Sequence, residues 1–332
     1  MAQQGQYDSP LSATLKGITD LFKKQERIGQ LADDERLDGK KVLITGSSAG
    51  LGFAAAIQLA SRGAFVIMAC RSGIPEKGKA VQAASGSDQV AMVHVDLADI
   101  DSIQALVKTV KMDYGQIDIL ICNAAVVPRE SRKTPQGLEE MFMVNYLAKY
   151  LLVRLLIQED GLNYAGKTSP RIIFVSSESH RNPKAFQWDQ FGKYQNYKMG
   201  KTVELYGYYK LLLTTLAREL ARRMNTGSKT EVSVFALCPG PVNSKIAREA
   251  PKIFLPLLKI IFGLFFRSPQ KAAEPVIYLA CSPAQEGKET DYLFLMSRKN
   301  MDEKALDPEN GKKLWQLSEN LLQQLGVNLL SI

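Results

Sequence analysis

Lys41-Val42-Leu43-Ile44-Thr45-Gly46-Ser47-Ser48-Ala49-Gly50-Leu51-Gly52 decides the fold of this chain. It reads as a short buried strand, a glycine-rich turn and the first turn of a helix. Glycines 46, 50 and 52 let the backbone turn sharply and come close to a pyrophosphate. The free N–H groups and positive dipole end of the following helix would point at that anion. Such turns are common between strands and helices, so the reading depends on motifs further down the chain.

Two further constellations narrow it. Tyr206-Gly207-Tyr208-Tyr209-Lys210 lies in a helical run from about Val203 to Met224. Spacing i, i+4 sets the Tyr206 phenol and the Lys210 ammonium on one helical face. A neighbouring cation favours phenolate and would bring proton exchange closer to neutral pH. Alone, the motif also fits an aromatic patch beside a solvated lysine. Arg171-Ile172-Ile173-Phe174-Val175-Ser176-Ser177 is an apolar strand delivering two hydroxyls at its C-terminal end, where open α/β sheets bind ligands. Neighbouring strand residues face opposite ways, so only one of Ser176 and Ser177 can face the pocket.

Taken in order, these motifs resemble the short-chain dehydrogenase/reductase family. The turn matches the family's TGxxxGxG, and Cys122-Asn123-Ala124-Ala125 matches its NNAG with two departures. Asn145, Ser177, Tyr206 and Lys210 match the family's asparagine, serine, tyrosine and lysine. Pro239-Gly240-Pro241-Val242 matches the PGxV segment that closes over the nicotinamide. The match runs from about Asp38 to the C-terminus. It implies an α/β fold: a single doubly wound Rossmann domain (38–332) with a parallel sheet of about seven strands. A helical extension would occupy residues 1–37, and a substrate lid would lie at about 243–270.

The resemblance also implies the site. Tyr206 would protonate the alkoxide that forms as hydride arrives. Lys210 would lower the Tyr206 pKa and hold the nicotinamide ribose hydroxyls. Ser177 would donate to the substrate oxygen, and Asn145 would hold a water linking Lys210 to solvent. Cofactor contacts would come from Gly46, Ser47, Ser48, Gly50, Leu51 and Gly52 in the turn, and from Arg71, Asp96 and Leu97 near the adenine. Asn123 and Ala124 would lie beside the ribose, and Pro239, Gly240 and Val242 beside the nicotinamide.

NADP(H) is expected over NAD(H). An acid at the end of the second strand would bind the ribose 2′-hydroxyl of NAD. Here that place holds Cys70 and Arg71, with no acid before Glu76. A guanidinium can pair with a 2′-phosphate in a charge-assisted fork.

Met68-Ala69-Cys70-Arg71, Val144-Asn145-Tyr146-Leu147 and Lys313-Leu314-Trp315-Gln316-Leu317-Ser318-Glu319 resemble the branch that holds retinol dehydrogenases and light-dependent protochlorophyllide reductase. That reductase carries Cys where this chain has Pro241 and lacks the serine matched by Ser177. The expectation is therefore a dark carbonyl reductase of retinol-dehydrogenase type, acting on a lipophilic small molecule. A double-bond reductase and a catalytically silent cofactor-loaded scaffold are the alternatives. Keeping Asn145, Ser177, Tyr206 and Lys210 together argues against the silent scaffold. Gly46-Ser47-Ser48-Ala49-Gly50 also satisfies the hydrolase elbow G-x-S-x-G, but that motif needs a late histidine. The last one here is His180, with several elements after it.

At 332 residues with 45% hydrophobic content, one large core is expected. Strand-like runs Val42–Thr45, Phe65–Ala69, Val90–Val95, Ile117–Cys122, Ile172–Ser176, Val232–Leu237 and Tyr292–Leu295 alternate with helical ones, as in a parallel sheet covered on both faces. The final helix, about Glu309–Leu325, would pack back through Trp315, Leu317, Leu321 and Leu322. Net charge is +8, but its basic residues are scattered, which argues against a nucleic-acid partner. Cys70, Cys122, Cys238 and Cys281 are widely spaced, as in a reducing compartment. The only histidines, His94 and His180, lie far apart in sequence, so no metal site is expected. His94 reads as structural, and His180 reads as bordering the pocket or lying in a surface loop.

No secretory signal is expected at the polar N-terminus, and the expected location is cytoplasmic. Leu11, Leu15, Ile18 and Phe22 fall at helical spacing among lysines, as in an amphipathic helix packed on the domain or on a membrane. Ile253–Phe266 is strongly apolar yet shorter than the roughly 20 residues of a membrane span. As a lid it fits a lipophilic substrate, peripheral membrane contact or a homodimer, and a buried helix packed on the core is a fourth reading. Phe186, Trp188, Phe191 and Tyr194 would line a pocket for an apolar substrate or pack their own loop.

Overall fold

The strand runs are apolar at nearly every residue, a pattern that is stable only where both faces of a sheet are covered. In the computed structural model, which describes residues 28–29, 31–32, 34–241 and 267–332, eight strands form. They are β1 (Lys41–Thr45), β2 (Phe65–Cys70), β3 (Val90–His94), β4 (Ile119–Cys122), β5 (Arg171–Val175), β6 (Ser233–Cys238), β7 (Thr290–Phe294) and β8 (Ser297–Arg298). Their spatial order is β3-β2-β1-β4-β5-β6-β7-β8. Strands β1 to β7 pair in parallel, while β8 runs antiparallel to β7. The expected seven-stranded parallel sheet thus carries an eighth, two-residue edge. The chain reverses at Leu295, whose φ of 56° lies in the left-handed region, and the local spacing of apolar residues does not announce that reversal.

Alternate strand residues feed two cores. Leu43, Ile67, Leu120 and Ile172 face one side, where they meet α3 (Ile100–Thr109), α4 (Ala148–Gln158), α5 (Met199–Met224) and α7 (Pro308–Gln324). Val42, Ile44, Met68, Ile121 and Ile173 face the other, against α1 (Gly50–Ser61), α2 (Glu76–Ser85) and α6 (Pro269–Cys281). Each fully buried Leu or Ile contributes about 1.5–3 kcal/mol. The strand order reverses between β1 and β4, which opens a crevice at the strands' C-terminal ends.

The last helix packs back as expected, although Gly311, Leu314, Trp315, Ser318 and Leu322 are its buried residues while Leu317 and Leu321 are only half-buried. The described residues before Leu37 are not helical. They bond outward instead, Ile28 N–H to the Met296 carbonyl and Leu37 N–H to that of Arg62. The amphipathic helix at 11–22, the apolar stretch Ile253–Phe266 and Val242 lie outside the described residues. Among the described residues no helix is long and apolar enough to cross a membrane.

Candidate active site

The crevice forms a cavity of about 740 Å³, lined from the glycine turn at one end to Ser177, Tyr206 and Gly240 at the other. Gly46 has φ +68°, and a Cβ there would meet the Ala124 Cα at 2.7 Å. A Cβ on Gly52 would lie 2.6 Å from the Gly46 carbonyl oxygen. Both glycines are therefore required by close backbone approach. No side chain caps α1, since its N-cap is Ala49. Ser48, Ala49, Gly50 and Leu51 line the cavity instead, leaving the dipole end of the helix to a bound anion. That uncapped cradle fits the pyrophosphate of a dinucleotide.

Two expected cofactor residues brace the turn itself. Ser47 is fully buried, and its hydroxyl turns inward to the Ile44 carbonyl (3.3 Å) and the Cys70 Sγ (3.4 Å). Its side chain braces the turn and does not face the cavity. Asn123 lines the cavity, but its Nδ2 donates to the Thr45 (2.9 Å) and Gly46 (3.0 Å) carbonyls, clamping the turn from below. Ala124, Leu97, Pro239 and Gly240 line the cavity as expected. At the far end Arg71 and Asp96 both line it, 3.8 Å apart.

Ser177, Tyr206 and Lys210 come together. Ser177 follows β5 and shares the cavity wall with Tyr206, near enough for its hydroxyl to act on the phenol. The Ser176 hydroxyl instead pairs with Thr214 Oγ1 at 2.8 Å, on the buried side. Lys210, one turn after Tyr206 on α5, is 1% exposed, and its Nζ donates to the Val175 carbonyl at 2.7 Å. Nζ lies 5.4 Å from the centre of the Tyr206 ring.

This geometry corrects the expected electrostatics. Burial pushes the Tyr206 phenol well above the ordinary tyrosine value, against the influence of Ser177. Burial and a second cation, Lys149, depress Lys210. Desolvation is the largest cause of both shifts. The phenol therefore stands protonated, as a proton donor must.

Asn145 supports the wall of the cavity. It is fully buried in a π-helical turn (Met143–Leu147), and it clasps the Val126 backbone: Oδ1 accepts from the N–H and Nδ2 donates to the carbonyl, both at 2.9 Å. Its side chain thereby fixes the cavity-lining loop, with one of its two N–H donors and one acceptor site on Oδ1 used in these bonds. The aromatic residues after Ser177 do not line the cavity. Phe186 stacks on Trp188 at 4.2 Å, Phe191 packs edge-on to Phe142, and Tyr194 donates to Ser131. The Phe186–Trp188 pair packs its own loop, while Phe191 and Tyr194 tie that loop to the body of the domain.

Sequence reading missed Lys149 and the burial of His180. Lys149 is 1% exposed and donates to the Val144 carbonyl at 2.8 Å. Its signal was a lone lysine inside the apolar run Tyr146–Val153. His180 is fully buried beneath Ser177, whereas His94 is exposed at the end of β3. Among the described residues, no group of His, Cys, Asp and Glu is placed to hold a metal.

The family model for short chain dehydrogenases matches residues 40–252. Retinol dehydrogenase 14 of Mus musculus is 33% identical, over 86% of this chain and 87% of its own length. Retinol dehydrogenase 13 of the same species is 32% identical over 93% and 91%. Among solved structures, a protein from Mycobacterium paratuberculosis superposes with a TM-score of 0.68 at 24% identity, covering 89% of this chain and 97% of that one. L-Sorbose reductase from Gluconobacter frateurii, solved with NADPH and L-sorbose, gives 0.61 at 21% identity over 79% and 96%. These structures share the fold.

Proposed function

The chain belongs to the short-chain dehydrogenase/reductase family, on its retinol dehydrogenase branch, and from that premise we propose that this oxidoreductase uses NADP(H) on the carbonyl or alcohol carbon of a lipophilic small molecule. The observation that carries the reading is the convergence of Ser177, Tyr206 and Lys210 on one end of a cavity whose other end is the uncapped glycine turn. The nicotinamide, when bound, supplies or accepts the hydride.

The chain's own groups do the rest. Ser177 donates to the substrate oxygen and holds it beside Tyr206. Tyr206, kept protonated by burial, gives its proton to the developing alkoxide. Lys210, anchored on the Val175 carbonyl, lies beside the phenolate left behind, whose negative charge favours the ammonium form of the lysine against burial, and where it can reach ribose hydroxyls. Asn145 holds the Val126 loop against the cavity.

NADP(H) is favoured by Arg71, more than half exposed at the adenine end of the cavity, with Cys70 where an NAD-binding acid would stand. A lipophilic substrate fits the names of the relatives and the apolar Ile253–Phe266 sequence, which also suits peripheral membrane contact on the cytoplasmic side.

The test is NADPH oxidation with a panel of aldehydes and ketones, including retinal, by wild type and Tyr206→Phe. Turnover by wild type and a loss of about 10²–10⁴-fold in the variant, with NADPH binding intact, is expected. Cofactor binding without turnover on any carbonyl would favour the silent scaffold.

A further inference from the structure

The turn that carries Ser177 is held from behind by a cluster with no part in the chemistry above. Ser177 caps the short 3-10 turn Glu178–Arg181, its hydroxyl accepting from the Ser179 N–H at 3.2 Å. His180, fully buried and absent from the cavity lining, spans from this turn to the segment after β8. The Asp302 N–H, which can only donate, reaches the His180 Nε2 at 3.2 Å. Nε2 must therefore accept, and the neutral ring carries its proton on Nδ1. Nδ1 donates to the Ser177 carbonyl oxygen at 2.7 Å.

Glu178 tightens the same joint. Its carboxylate accepts from the Tyr292 phenol at 2.7 Å, from the Arg181 Nε at 3.2 Å and from the Lys299 ammonium. Arg181 also donates to the Asn300 carbonyl. The Tyr292 ring stands edge-on to His180, 5.2 Å between centres. Glu178, His180 and Arg181 of the Ser177 turn thus all reach the short stretch 299–302.

We propose that His180 is a positioning residue for Ser177: as the Nδ1–H tautomer it ties the serine's own carbonyl to Asp302, so that the 299–302 segment holds the serine hydroxyl at Tyr206. The inference rests on the carbonyl-reductase reading for its effect on rate, though not for its geometry. The charged groups facing the ring are Glu178 and Arg181 on its own turn and Asp302 from the segment after β8, with the Tyr292 phenol from β7. Burial dominates and pushes the imidazole down to about 4, so the neutral clasp is the form present at ordinary pH.

The test uses the full-length protein with cofactor. His180→Leu removes the donor, whereas His180→Asn places an amide N–H where Nδ1 was. The leucine variant should lose about tenfold or more in kcat while its NADPH Kd stays within about twofold, and the asparagine variant should recover most of the loss. A merely structural role would lower Tm and the active fraction in both without splitting kcat from cofactor binding. Wild-type kcat in His180→Leu, or equal losses in both variants, overturns the proposal.

A second measurement needs no turnover. With two histidines in the chain, nitrogen NMR of 15N-histidine-labelled protein resolves both rings, and His180→Asn assigns them. The Nδ1–H tautomer, unchanged from about pH 6 to 8, is expected for His180. An Nε2–H tautomer, or titration at an ordinary imidazole pKa, overturns the clasp even if the leucine variant fails to fold. A wild type that turns over no carbonyl yet shows this tautomer would remove the reading of the reaction and leave the clasp standing.

Discussion

Gly207 lies so close to Ser179 that a Cβ there would stand 2.8 Å from the Ser179 carbonyl oxygen. Helix α5 thus presents bare backbone to the serine turn at the residue after Tyr206, and this contact brings the two hydroxyls together. Alanine is the better helix former by about 1 kcal/mol, so an unpacked position would gain from it. Here Gly207→Ala should instead cost about 1–3 kcal/mol by overpacking. It should also displace Ser177 and lower kcat more than it weakens NADPH binding. A Tm series with single-turnover rates checks both signs.

Arg71→Asp should shift cofactor preference towards NADH. The new carboxylate would stand beside Asp96, now 3.8 Å from the guanidinium, and two acids there repel a 2′-phosphate. Loss of one charge-assisted pair predicts a fall of about tenfold to a hundredfold in the NADPH/NADH ratio of specificity constants. An unchanged ratio would refute the assignment of Arg71.

Acid should loosen the Ser177 turn. His180 has a folded value of about 4 against 6.5 unfolded, so between these the unfolded chain binds more protons. Its contribution is complete above about pH 6.5 and is lost as pH falls towards 4, to about 3 kcal/mol. Burial acts to raise Glu178, but Arg181 and Lys299 outweigh it and hold its carboxyl low. Protonating Glu178 at still lower pH therefore destabilises in the same direction. Urea midpoints from pH 7 to 4 should fall more steeply for wild type than for His180→Asn.

Lys149→Met should change the alkaline side. Burial, opposed by Cys122, lowers Lys149 from 10.5 to about 8. Wild-type stability therefore rises between these values as the buried ammonium loses its proton, by up to about 3 kcal/mol. Methionine fills the stem without charge but gives up the bond to the Val144 carbonyl. The variant should gain on wild type near neutral pH, and its advantage should shrink towards pH 10.5. A constant difference in Tm across that window would show that Lys149 does not titrate there.

Peripheral membrane contact can be read directly. Phe262, Phe265 and Phe266 stand among Lys259, Arg267 and Lys271, and each cation near an anionic surface adds about 1 kcal/mol. Co-sedimentation with anionic liposomes is expected for wild type and should drop when the three phenylalanines become serine. Equal binding by both would leave the contact without support, and a soluble dimer that the variant dissociates would replace it.

The residues by themselves determined the strand–turn–helix at Gly46, the α/β rhythm and the Tyr206–Lys210 pair, because each depends on neighbours within a turn or a strand. They also separated Ser177 from Ser176 in kind, through strand alternation, though not which of the two faces the cavity. Chain folding decided the rest. Ser47 turns inward because Cys70 arrives from β2, and Asn145 meets the Val126 backbone from 19 residues along the chain. His180 is buried because Asp302 comes back to it from 122 residues away. The sign of the Tyr206 shift was also a tertiary matter. Spacing reports that a cation is near, but whether attraction or desolvation wins depends on how much protein closes over both groups, and residues from β5, β6 and α4 decide that together.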